Sequence, residues 1–535
     1  MLRSLRSLLT ADPARALYIY LALLTMMRLV LAAQFELSPD EAYYSMWAER
    51  MDISFYSKGP GVAATMWLGT HLFGVNELGI RLFSPLLSLG TSLLLFTFAR
   101  RLYGQSVGIW TVLMLQCAPI FHAGSILMTI DPLSIFFWTA ALVAFWKALE
   151  GGGRWNRWWP ITGALIGVGF LCKYTNAMQL LSIVLLLLFT PKYRREFGRR
   201  GFFSMIAAFA PFTIPPLVWN ARHDWITLSH LSARGGLQKA FRIDLGEFFT
   251  FIGQHFGAYS PLLFGAMLVG GAWGCSRAVR SFKARFLLAF SLPLWVLYLW
   301  LALKQSGEAN WTAPAMVSLG ILAVACWHER ALHKPWLRKF AVVALAFGLG
   351  MSVATLNTDL LRTVGLPFPY KLDPSKRLRG WRSSAEELEK LRADFEQRTA
   401  QPVFLIANSY GTAAALGFYL RDKRPAGDGH PPIYFPESQA IENQFSFWPR
   451  YDEFVSVPAS DLNQNAYFTE QQGINKFHGR TALYITDRPE EKAPSTIKGG
   501  FDRVEMIALI DQKRRGMPVR QWRVFACYEY RSLPL

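Results

Sequence analysis

The chain of 535 residues is 52% hydrophobic and only 17% charged, with a mean hydropathy of +0.20. Soluble globular proteins average about 25% charged residues, so a soluble enzyme is excluded and a polytopic membrane protein is expected. The formal charge of +19 does not point to nucleic acid, because most of the excess falls in short connections between long apolar runs, as orientation-setting charge does.

Arg3, Arg6 and Arg15 precede the first apolar run. No small-residue cleavage site follows, so the run reads as a retained helix rather than a signal peptide. Spans are predicted near 16–33, 79–99, 106–123, 132–149, 158–172, 175–190, 202–219, 248–270, 286–303, 312–327 and 340–356, about eleven transmembrane helices in all. The run at 62–74 is too short to cross and fits a helix lying at the membrane surface. Cys117, Cys172, Cys275, Cys326 and Cys527 show neither metal-ligand spacing nor a disulfide framework and read as structural.

Alternate connections carry the basic residues: Arg100 and Arg101, Arg154 and Arg157, the cluster between Lys192 and Arg200, the cluster between Arg277 and Arg285, and Arg330 to Lys339. By the positive-inside rule these face the cytoplasm. An odd number of spans then sends the rest of the chain to the outer face. Residues 357–535 change in composition: a charged helical stretch at Ser383–Thr399, a buried strand at Val403–Ala407, a helix at Ser409–Leu420, and strands at Leu483–Thr486, Val504–Ile510 and Trp522–Tyr528. Pro/Gly-rich stretches such as Arg424–Pro432 separate them. The expected architecture is a polytopic α-helical membrane domain, 1–356, and an extracytoplasmic α/β domain, 357–535.

The ionisable residues worth suspecting all fall in the outward set of connections. Ser38-Pro39-Asp40-Glu41 opens the first, followed by Tyr43, Tyr44, Tyr56 and Lys58. Asp131 stands at the mouth of the fourth span. Lys173 and Tyr174 fill a very short turn. Asn220, His223 and Asp224 lie in the fourth outer loop, and Asn310 and Trp311 in the fifth. Ionisable groups beside lipid are costly and usually functional. Carboxylates, cations, amides and aromatics on one face suit sugar transfer, in which a carboxylate takes a hydroxyl proton, cations neutralise a departing phosphate and aromatic faces hold sugar rings. Each residue also has a purely structural reading: Ser-Pro-Asp-Glu is a good helix opening, with Asp40 as a cap, Asp131 precedes a proline at a helix start, and Lys173 can snorkel to the interface.

Taken in order, the motifs Leu37-Ser-Pro-Asp40-Glu41-Ala-Tyr43-Tyr44, Tyr56-Ser-Lys58-Gly-Pro60, Leu78-Gly-Ile-Arg81-Leu82, Thr129-Ile-Asp131-Pro132, Cys172-Lys173-Tyr174-Thr175, Trp219-Asn220-Ala-Arg-His223-Asp224-Trp225 and Ala309-Asn310-Trp311 resemble the bacterial dolichyl-phosphate-mannose-protein mannosyltransferase-like family, glycosyltransferase family 39 and its relatives. The resemblance covers roughly residues 15–330. It implies a membrane-embedded type C glycosyltransferase fold, related to lipid A aminoarabinose transferase. The implied activity is inverting transfer from a polyprenyl-phosphate-linked sugar to an envelope glycolipid, glycan or protein on the periplasmic face of the inner membrane. By motif, Asp40 matches the family's first-loop aspartate, the base or acceptor-positioning group, and Asp131 its second-loop aspartate; Glu41, beside Asp40, is a further candidate catalytic carboxylate that could position Asp40 or favour the helix dipole. Lys58 occupies the turn where the aminoarabinose relative has a phosphate-contacting lysine, and Lys173 or Arg81 are further candidates for the carrier phosphate. The sequence departs from the aminoarabinose relative at Tyr56, where that protein has an acidic residue. No cofactor is fixed by the sequence, although a divalent metal could assist the leaving group. The rival expectations are a lipid or sugar transporter or flippase, whose halves would show an internal repeat that is not evident here, and a catalytically silent accessory protein of an envelope complex.

Overall fold

Helices form at every one of the predicted apolar runs in the computed structural model, which describes residues 12–236, 242–305, 307–363, 365–366, 373–421, 429–436, 440–453, 467–469, 473–490, 492–514 and 517–531. Arg3, Arg6 and part of the Arg424–Pro432 stretch lie outside these residues. In lipid the backbone must satisfy its own hydrogen bonds, so apolar runs of this length close into helices.

Among the described residues, six segments are long and apolar enough to cross a membrane unbroken: Pro13–Gln34, Glu77–Tyr103, Ile130–Glu150, Arg200–Arg222, Ala309–His333 and Trp336–Leu356, or up to eight with two bent pairs. One pair, Leu245–Tyr259 and Pro261–Arg277, turns through 111° where a single span was expected at 248–270. The cause is local: Ser260 adopts a left-handed φ of 69° and Pro261 has no N–H to continue the ladder. The second pair, Phe282–Ala289 and Leu292–Ala302, bends by 40°. The run at 106–123 breaks into Gln105–Gln116 and Pro119–Gly124, because Ala118 is extended before Pro119. Trp158–Cys172 and Met178–Leu188 are shorter apolar helices on either side of the Lys173 turn. The stretch near 62–74 is helical over Gly61–Phe73 and exposes Trp67, Leu68, Leu72 and Phe73.

Burial sorts the helices. Ile130–Glu150 is 72% buried and Ala309–His333 is 83% buried, against 28% for Pro13–Gln34 and 22% for Trp336–Leu356. The first two form the centre of the helical unit, and the outer helices turn apolar faces to lipid.

The chain divides into two compact units, 1–34 with 47–360, and 35–46 with 361–535. The second boundary falls close to the expected one, but residues 35–46, expected in the membrane domain, group with the C-terminal unit. That unit carries a four-stranded sheet in the order Phe404–Ala407, Ala482–Thr486, Met517–Tyr530, Phe501–Arg514, the first pair parallel and the others antiparallel. Helices Trp381–Thr399 and Tyr410–Leu420 pack together beside it. Phe404, Tyr434, Tyr451, Phe477 and Tyr530 form an aromatic core on the sheet.

Candidate active site

In the helical unit, three residues from three separate connections meet. Asp131 occupies the first turn of Ile130–Glu150, whose cap is Thr129: its side chain accepts from Asp131 N at 3.3 Å, so the capping role does not fall to Asp131. The Asp131 carboxylate is thereby left for other partners. Lys173 Nζ lies 2.7 Å from Asp131 Oδ1 and 3.2 Å from Asn310 O, and Asn310 Nδ2 donates to Asp131 Oδ2 at 2.7 Å. The lysine is only 7% exposed, so its ammonium is held within the protein rather than snorkelling to an interface. A buried ammonium requires such a partner, because unpaired burial of charge is prohibitive.

The surrounding segments fix this triad. Asn310 stands in the short turn Ala309–Thr312, where Tyr259 OH and Thr312 Oγ1 both donate to Ala309 O, at 3.2 and 3.0 Å. Tyr259 ends the first arm of the bent helix pair, so the bend places the brace on Asn310. Lys173 sits between two helices whose turn is covered by the Ser57–Gly61 loop. A Cβ at Gly59 would run into Leu171 O, and one at Gly61 into Cys172 Sγ, so only glycine allows that approach.

The Ser57–Gly61 loop leads to a second cluster. Ser54 Oγ lies 3.2 Å from Tyr174 OH and 3.3 Å from Lys58 O, which also accepts from Phe55 N at 3.0 Å. Tyr56, nearly buried, packs its ring 4.7 Å from His230. Burial first, and then the charges of Lys58 and Arg234, together push the His230 imidazole down to about 4. Arg234 in turn lies 5.6 Å over the ring of Trp311, the neighbour of Asn310. The charges of Lys58 and Arg234 are thus felt at His230, Arg234 lies over Trp311, and Trp311 adjoins Asn310 of the Asp131–Lys173–Asn310 triad. Sequence reading missed His230 and Arg234. Their signal was a His and an Arg four residues apart in the 220–246 outer loop.

Other expected residues have structural tasks. Asn220 Oδ1 accepts from Thr227 N at 3.2 Å and its amide donates to Pro216 O at 2.9 Å, which joins the helices on either side of the loop. His223 donates from Nδ1 to Trp219 O at 2.7 Å and stacks on Trp219 at 4.0 Å. Trp219 Nε1 donates to Asp52 Oδ2 at 2.8 Å. Asp224 is exposed, with a left-handed φ of 50°. Arg81 has no exposure and donates to Ala32 O at 3.1 Å, which makes it a helix-to-helix tie.

In the other unit, Ser38-Pro39-Asp40-Glu41 opens the helix Pro39–Glu49 as a capping box. Glu41 Oε2 accepts from Ser38 N and Ser38 Oγ, both at 3.0 Å, and Ser38 Oγ accepts from Glu41 N at 3.4 Å. Ser38 is thus the cap, where Asp40 was considered. Glu41 is completely buried in this cap, while Asp40 is exposed in the first turn. Tyr43 and Tyr44, expected to line a cleft, are buried instead. Tyr43 OH accepts from Gln444 N at 2.6 Å, and its ring packs on Tyr410 at 4.8 Å and Phe445 at 6.0 Å. Among the described residues, no three His, Cys, Asp or Glu side chains gather closely enough to hold a metal ion.

Comparison with known proteins supplies the context. The family model for dolichyl-phosphate-mannose-protein mannosyltransferase matches residues 57–219. The chain is similar to the lipid A galacturonosyltransferase RgtD of Rhizobium johnstonii, 27% identical over 440 residues, covering 81% of this chain and 85% of the relative. It is also 27% identical over 187 residues to the undecaprenyl phosphate-alpha-4-amino-4-deoxy-L-arabinose arabinosyl transferase of Pseudomonas aeruginosa, 32% of this chain and 34% of that one. Among solved structures, ArnT from Cupriavidus metallidurans bound to undecaprenyl phosphate has a TM-score of 0.59 at 18% identity, over 95% of this chain and 97% of that chain. The chain is therefore similar, over residues 57–219, to the dolichyl-phosphate-mannose-protein mannosyltransferase family and carries the membrane-embedded type C glycosyltransferase fold.

Proposed function

We propose that this protein transfers a sugar, with inversion, from a polyprenyl-phosphate carrier to lipid A or a similar envelope glycolipid at the periplasmic face of the bacterial inner membrane. One observation carries the reading: Lys173, Asp131 and Asn310 bond to one another from three separate connections, with Arg234 over the neighbouring Trp311 and the charges of Arg234 and Lys58 both acting on His230. Likeness to RgtD along most of both chains supports lipid A as the acceptor. It favours a hexuronic acid over an amino-pentose as the sugar, since the match to the aminoarabinose enzyme covers only a third of either chain.

In this reading Lys58 and Arg234 hold the carrier phosphate. Two cations beside an imidazole that stays neutral favour an anion, and they stabilise the charge that develops as the phosphate leaves. Asp131 uses both oxygens on Lys173 and Asn310, so it acts as a positioning residue rather than as a base. Lys173 spends two of its three N–H donors on the triad, which leaves the third for an incoming oxygen. Asp40, exposed in the first turn of its helix, takes the proton of the acceptor hydroxyl as that oxygen bonds to the anomeric carbon. The bond from that carbon to the phosphate oxygen breaks, and its electron pair leaves with the polyprenyl phosphate.

Mass spectrometry of lipid A from cells with and without the protein tests the proposal. Loss of a species heavier by one hexuronic acid residue is the expected result. An unchanged glycolipid profile would sink it.

A further inference from the structure

At the opposite end of the helical unit, among the basic connections, a cavity of about 310 Å³ is lined by Arg154, Trp155, Trp159, Glu196, Arg199 and Arg200, among others. Its charges do not cancel. Arg199 is paired with Glu196, which is 4% exposed, and lies against the Gly153 turn, where a Cβ would collide with the guanidinium. Arg154 and Arg200 have no carboxylate within ion-pair distance among the described residues, and both are exposed. Two net positive charges therefore face one hollow.

The apolar surface beside it identifies the occupant. Arg200 starts the helix Arg200–Phe209, and Phe203 and Ile206, at the spacing of one helical face, are 60% and 37% exposed. That stripe is a surface for lipid chains, with Arg200 at its polar end. Trp155, 59% exposed, donates from Nε1 to Ser204 Oγ at 3.3 Å, the position of an interfacial aromatic anchor. A soluble phosphate would have no use for the stripe, and a zwitterionic lipid would leave the two arginines unneutralised. We infer that this hollow binds the phosphodiester headgroup of an anionic phospholipid, with an acyl chain laid along Phe203 and Ile206. The site is separate from the proposed active site and does not depend on the sugar-transfer reading. Basic pockets between spans on the cytoplasmic side recognise anionic headgroups by the same physics.

The test uses the full-length protein in detergent, incubated with phosphatidylglycerol or phosphatidylethanolamine of matched acyl chains and examined by native mass spectrometry. The wild type is expected to retain phosphatidylglycerol in preference, and glycerol phosphate without acyl chains is expected not to displace it. R154Q/R200Q should weaken that retention roughly 10- to 30-fold. R194Q/R195Q, with the same charge change on neighbouring residues outside the hollow, should keep it. Equal retention of both lipids by the wild type would overturn the inference without any variant. So would displacement by glycerol phosphate alone, unchanged retention in R154Q/R200Q, or equal loss in R194Q/R195Q.

Discussion

Lys173 Nζ and Asp131 Oδ1 are 2.7 Å apart although 42 positions separate them in the chain, and Asn310 bonds to both from a third connection. Neither charged group is freely solvated, so each depends on the other. Removal of one partner of a buried pair strands the remaining charge and costs about 3–5 kcal/mol, more than the pair itself contributes. K173M and D131N should therefore each lower the melting temperature in detergent, and the double variant should lose clearly less than the sum of the two. Additive losses in the double-mutant cycle would show that the pair is not coupled.

The charges of Lys58 and Arg234 both act on the His230 imidazole, and Arg234 lies over Trp311. If they hold the carrier phosphate, K58Q and R234Q should each raise KM for the polyprenyl-phosphate donor by about tenfold, the loss of one charge-assisted contact. KM for the acceptor should not change. Steady-state kinetics with each substrate varied in turn separates the two. A rise confined to the acceptor KM would move these residues to the acceptor side.

His230 gives a pH signature. Its folded value is held at about 4, below the ordinary 6.5, first by burial and then by Lys58 and Arg234. As pH falls, the unfolded chain takes up the proton first. The stability contributed by the neutral ring is therefore complete above about 6.5 and is lost on the way down to about 4. H230F, which keeps a ring against Tyr56, should show a shallower fall in melting temperature across that interval than the wild type. Parallel curves would mean that His230 titrates normally.

The close approach of the Ser57–Gly61 loop to Leu171 and Cys172 makes Gly59 sensitive to a single methyl group. G59A should cost about 1–3 kcal/mol by overpacking and lower turnover through displacement of Lys58. G253A is the control, since nothing lies within 4 Å of a Cβ there. Equal melting temperatures and rates for the two variants would refute the close approach.

Much of this was readable before any coordinates. Asp131, Lys173 and Asn310 stand out in the sequence because polar groups at the ends of apolar runs are rare, and the order of the runs put them on one face. Their direct bonding was not readable, since spacing along the chain carries no distance between loops. Hydropathy located the helices but not the 111° turn at Ser260-Pro261, because a window average does not register the direction of the chain. Glu41 stood out beside Asp40, and Ser-x-x-Glu is also the pattern of a capping box, which is what Ser38 and Glu41 form. Residues 35–46 read as part of the membrane domain by position. Their aromatic partners, Tyr410 and Phe445, lie far along the chain, beyond the reach of local pattern. The strands of the C-terminal sheet were legible from their β-branched and aromatic content, whereas the sheet order was not.

Transfer of a radiolabelled sugar from polyprenyl phosphate to lipid A by the purified full-length protein, wild type beside D40N, tests the account most directly. The account predicts labelled lipid A with the wild type and a loss of at least about a hundredfold with D40N at an unchanged melting temperature. Wild-type protein that leaves the label on its carrier under these conditions, or D40N with near-normal turnover, would contradict it.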